Sequence, residues 1–147
     1  MISRRKGREA GMQILYAMEV GNQTFDQAAR DLEQDKENPI ASDAIDYGRQ
    51  LAKAVIEHAE DIRDRIAEAA ANYDMERLAV VDRLVMACGI AELLYFPEIP
   101  VKVAINEAID IAKKYSTGES NRFVNGILDT VARQVSNLPG RKDDHAP

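Results

Sequence analysis

Cysteine is nearly missing from this chain. Its 147 residues hold one, Cys88, so no disulfide can close within it. There is no Trp, and aromatic residues make up 5%, so a core has to be built from aliphatic side chains and alanine. Histidine stops at two, His58 and His145. One thiol and two scattered imidazoles offer no zinc-ligand spacing, and no metal site is expected. No phosphate loop, dinucleotide fingerprint or nucleophile elbow occurs, so neither a cofactor nor enzymatic activity is expected. Long apolar runs are absent too. The longest, Leu84 to Ala91, is far short of the roughly 18 residues that span a bilayer. The stretch behind the N-terminal basic residues is interrupted by Glu9, Gln13 and Glu19, so it lacks the uncharged segment of a signal peptide. This composition fits a reducing, cytoplasmic setting without a membrane.

What remains is 46% hydrophobic and 30% charged, enough apolar material for one core and too much for a disordered chain. Nearly every segment repeats its apolar residues at three and four, and strand alternation is scarce. A first helix is expected from Ser3 to Val20, with Gly11, Ile14, Leu15 and Met18 on one face and Gly21 as its stop. Thr24 and Gln27 form a capping box for a second helix, whose stripe is Phe25, Ala28, Ala29 and Leu32. After a polar linker, Ser42 is placed to cap a third. Its seam runs through Ile45, Gly48, Ala52, Val55, Ala59 and Ile62, extended to Ile66 and Ala69 past a bend. Asn72-Tyr73-Asp74 reads as a break, with Asp74 as the next cap. Val81, Leu84, Val85, Cys88, Glu92 and Tyr95 then share a face that is apolar except for Glu92. Pro97 ends that helix, and Pro100 pre-sets the backbone for another, with Val101, Ala104, Ile105, Ala108 and Ala112 inward. Ser116-Thr117-Gly118 breaks it. A last helix spans Glu119 to Ser136, with Val124, Ile127, Leu128, Val131 and Val135 as its core face. The expected fold is all-α, a single-domain bundle of six to seven helices over residues 3–136, with a disordered polar tail at 137–147.

Net charge is −6, which argues against nucleic acid, but its distribution argues the other way. Residues 1–8 hold Arg4, Arg5, Lys6 and Arg8 and no acid: a basic arm on an acidic body. The arm opens a helix, where the dipole disfavours cations, so a phosphate partner is one candidate for what holds it there. A solvated terminus is the plain alternative. Phe123 is also out of place. It sits about 100° around the helix from Val124, at the edge of the core stripe or outside it, with Glu119 on its side and Arg122 roughly opposite the core. An aromatic beside an Arg at a helix start suits a nucleotide: the ring can stack on a base, while the Arg and open N–H groups hold phosphate. Packing of Phe123 on a neighbouring helix or loop is the alternative. Cys88, on an apolar face, reads as a small buried hydrophobe, and His58, between Glu57 and Asp61, as a surface histidine among charges.

The run Pro100-Val101-Lys102-Val103-Ala104-Ile105-Asn106-Glu107-Ala108-Ile109, continued through Ser120-Asn121-Arg122-Phe123-Val124-Asn125-Gly126-Ile127-Leu128-Asp129, closely resembles the signature of the NusB family. So does Arg4-Arg5-Lys6-Gly7-Arg8-Glu9-Ala10 followed by Gln13-Ile14-Leu15-Tyr16. The resemblance covers about residues 3–135. It implies an all-α, non-catalytic transcription antitermination factor. Such a factor binds boxA RNA with the ribosomal protein NusE and joins the elongating RNA polymerase with other Nus factors, notably on ribosomal RNA operons. It implies RNA contacts at Arg4, Arg5, Lys6, Arg8, Gln13, Asp82, Glu119, Ser120, Arg122 and Phe123, and a partner contact at Tyr16. Lys6 stands where some relatives have a third Arg, and lacks that residue's planar fork. Family members occur as monomers and as homodimers, and both states stay open. Two other readings remain: a non-catalytic protein-interaction bundle, and an RNA-binding domain detached from a ribosomal-RNA methyltransferase.

Overall fold

The structure, a computed structural model, describes residues 4–70, 78–115 and 118–135, with the side chains of 118–120 outside that description. These residues form seven helices and no strand: α1 (Arg4–Gly21), α2 (Phe25–Gln34), α3 (Ser42–Glu57), α4 (Ala59–Ala69), α5 (Val80–Tyr95), α6 (Val101–Tyr115) and α7 (Gly118–Val135). The all-α expectation holds. The proposed cap Asp74 and the tail 137–147 lie outside the described residues. The helices group into two compact units, residues 1–57 and 58–147.

In the first unit α1 and α3 cross at very short range because glycines face small residues. A Cβ at Gly48 would lie 2.8 Å from the Ala10 Cβ and 2.9 Å from the Gly11 nitrogen, and one at Gly11 would lie 3.1 Å from the Gly48 carbonyl oxygen. Ile14, Ile45 and Leu51 are fully buried in this unit; each such side chain contributes about 1.5–3 kcal/mol by leaving water. Helix α2 starts as expected, with Thr24 Oγ1 accepting from the Gln27 N–H at 3.1 Å. Only half of the capping box forms, because the Gln27 side chain donates to Asp31 at 2.8 Å instead. Ser42 is the first residue of α3 rather than its cap. The Ala41 carbonyl accepts from Ala44 and Ile45 at 3.0 and 3.1 Å, so the helix starts one residue earlier than a hydroxyl cap would place it. α1 ends on Gly21, and it is Asn22 that takes the left-handed turn, at φ 55°.

The third helix, expected to run on through Ala59 and Ile62 before a bend, breaks earlier, and α4 is unbroken from Ala59 to Ala69. His58, at φ −116° and ψ 25°, separates α3 from α4 and makes no side-chain cap. In the second unit α5 is the interior helix. Every residue from Leu84 to Leu93 is buried, so the one-faced stripe expected there becomes burial all round, as for a helix covered on several sides. Gly89 makes this coverage tight: a Cβ there would lie 3.1 Å from Leu128 of α7 and 3.2 Å from Ala108 of α6. Ile99 and Phe96 close the Pro97–Pro100 loop through a 3.0 Å backbone bond from the Ile99 N–H to the Phe96 carbonyl.

Candidate nucleic-acid interface

Helix periodicity divides the N-terminal arm between two environments. Arg4 and Lys6 are exposed and Arg5 is half-buried, while Arg8 is only 4% exposed. The family resemblance implies RNA contacts at all four. The structure turns Arg8 inward, because it falls one residue past Gly7 on the side of α1 that includes Gly11 and Leu15. Further along α1, Gln13 lies seven residues from Lys6 and so on the same stripe. It is half-buried there. Tyr16, 41% exposed, and Val20, 51% exposed, continue that stripe. The first unit therefore presents cations at the start of α1 and an apolar patch at its end, with Gln13 between.

A side chain from α3 completes the cationic end. The Arg4 guanidinium carbon lies 5.2 Å from the centroid of the Tyr47 ring, within cation–π range. Nothing in the spacing of α1 points to this residue.

In the second unit Glu119 and Ser120 fall in the first turn of α7, with their side chains outside the described residues. Arg122 is exposed, Phe123 is half-buried and Val124 is fully buried. Phe123 is thus at the rim of the core, as its angular offset from Val124 requires. Beside it the Asn121 Oδ1 is buried and accepts no hydrogen bond among the described residues, which sequence reasoning missed. The first-turn N–H groups of a helix this long have no partner within it, and they point the same way as the dipole's positive end. Asp82 differs from expectation. It is 1% exposed, in the first turn of α5, so its carboxylate has no surface to offer an RNA.

Other groups with chemical interest are internal. Cys88 is buried, and burial followed by the nearby Glu92 carboxylate pushes its thiol pKa well above the ordinary range, which favours the protonated thiol. Glu92 is itself 1% exposed. Among the described residues no group of three or more potential metal ligands is close enough to hold an ion, and no helix is long and apolar enough to cross a membrane.

These features define a class first: a small all-α domain with a cationic helix start and a half-exposed aromatic at a second helix start. Residues 5–133 match the NusB family, and the chain belongs to it. A transcription antitermination protein NusB from Chloroherpeton thalassium is 43% identical over 136 residues, which cover 92% of this chain and 64% of that protein. This chain therefore spans somewhat less than two thirds of that relative. One from Myxococcus xanthus is 39% identical, over 90% of this chain and 96% of its own. The solved structure of T. maritima NusB superposes with a TM-score of 0.79 at 34% identity, over 91% of this chain and 94% of its own. A structure of the antitermination factors NusB and NusE in complex with double-stranded RNA shares the fold at TM-score 0.77 and 24% identity, over 91% of this chain and 99% of that one.

Proposed function

We propose that this chain is a transcription antitermination factor that binds boxA-type RNA together with NusE. In this reading it couples that RNA to elongating RNA polymerase and other Nus factors in the cytoplasm, without catalysis. The observation that carries the proposal is the exposed cationic start of α1, held on a NusB-family fold whose net charge of −6 would otherwise repel a polyanion. Arg4, Arg5 and Lys6 supply phosphate contacts. Arg122 and Phe123, with Glu119 and Ser120 beside them, supply a second phosphate contact and a stacking platform. Gln13 extends the first group, and Tyr16 with Val20 offers NusE an apolar contact. Arg8 and Asp82 support these contacts from inside rather than touching RNA. The relatives named as antitermination proteins, and the fold shared with the NusB–NusE–RNA complex, support the same reading.

The test is a titration of labelled boxA RNA and a scrambled control into the full chain, with and without NusE. Tighter binding of boxA when NusE is present is expected. Equal binding of both RNAs under all conditions overturns the reading.

A further inference from the structure

We infer that Tyr47 is a positioning residue for the RNA-binding arm: its ring, presented from α3, seats the Arg4 guanidinium at the start of α1. The inference rests on the RNA-binding reading above. Arg4 and Gly7 are one turn apart and share a side of α1. Tyr47 lies across both. Its ring carries the Arg4 guanidinium at 5.2 Å, and its Cδ2 would be 2.7 Å from a Cβ at Gly7. The ring can occupy that place only because residue 7 has no side chain. A glycine inside the first turns of a helix weakens it relative to alanine, and admitting the ring gives this one a function. Tyr47 itself is 6% exposed, so the seat is a fixed part of the packing while Arg4 above it stays exposed.

The seat answers a physical difficulty. A cation at a helix N-terminus is disfavoured by the dipole, and a long arginine side chain loses conformational freedom when a ligand captures it. The negative face of the Tyr47 ring attracts the guanidinium and narrows its range before RNA arrives.

The experiment is a double-mutant cycle read by RNA affinity, using boxA RNA with NusE and the full chain. Tyr47→Phe keeps the ring face and is expected to bind as the parent does. Tyr47→Leu and Arg4→Ala are each expected to weaken binding about 2- to 5-fold, and the double variant to be no weaker than Arg4→Ala alone. Losses that multiply in the double variant, or a Tyr47→Leu that binds normally, overturn the inference. Should Tyr47→Leu lower the melting temperature, phenylalanines carrying successive ring fluorines at position 47 keep the shape while weakening the ring's negative face. Affinity falling stepwise with fluorination at constant melting temperature supports the seat, and affinity indifferent to fluorination overturns it. Absence of RNA binding in the parent chain overturns the functional reading itself, whereas binding that ignores the ring overturns this inference alone.

Discussion

The Tyr95 hydroxyl donates a 2.8 Å hydrogen bond to Asp61 Oδ2, tying the last turn of α5 to the first turn of α4, while its ring stacks on His58 with centroids 3.7 Å apart. Burial first, then the hydrogen bond and charge of Asp61, raise the Tyr95 pKa from 10.0 to about 12. A raised phenol pKa means that the folded state favours the neutral ring. Its stabilising contribution is complete below pH 10 and is lost as pH rises through about 12. Absorbance titration is expected to show a late ionisation step from Tyr95. Tyr95→Phe should remove that step, cost about 0.5–1.5 kcal/mol at neutral pH, and lose less stability than the parent across the alkaline window.

Gly48 and Gly126 should respond in opposite directions to the same substitution. A methyl at Gly48 meets Ala10, Gly11 and the Gly7 carbonyl within 3.0 Å. Overpacking of this kind costs about 1–3 kcal/mol, which outweighs the roughly 1 kcal/mol that alanine gains in helix propensity. A methyl at Gly126 meets nothing within 4 Å, so Gly126→Ala should stabilise α7 by up to about 1 kcal/mol. Denaturant unfolding of the two variants checks both signs.

The salt dependence of RNA binding should count the cations that reach solvent. The arm read as four contacts gives a slope of roughly −3 in log affinity against log salt for single-stranded RNA. With Arg8 turned inward, three remain and the arm's share is about −2. Replacing Arg4, Arg5 and Lys6 by alanine should remove that share. Arg8→Ala should leave the slope alone and lower stability by about 1–3 kcal/mol.

Phe123 sits where a base could stack without the core being opened. Phe123→Ala is expected to weaken RNA binding by about 1–3 kcal/mol. Phe123→Leu separates the two roles of the ring, because it keeps apolar burial and removes the π-face. An affinity for Phe123→Leu equal to the parent's would show that the ring packs rather than stacks.

Helix positions were largely legible because their signals are local. Apolar residues recurring at three and four, Thr24 at a cap and Pro97 and Pro100 at boundaries each act over one or two turns. Where a competing interaction was also local but stronger, the reading slipped: Ser42 yielded to the Ala41 carbonyl, and Gln27 preferred Asp31 to completing its box. The break at His58 carried no glycine or proline to mark it.

The site was half legible for the same reason. The sequence by itself determined that cations gather at the start of α1 and that Phe123 lies off the core stripe, since both follow from position along one helix. Only the tertiary structure decided which of those groups face outward. Burial depends on what a second helix brings to each side. α3 sets Gly48 and Tyr47 against α1, placing an aromatic ring under Arg4, and Asp82 is buried although it opens α5. Spacing within a single helix states an angle, and a neighbouring helix decides whether that angle points into protein or into water.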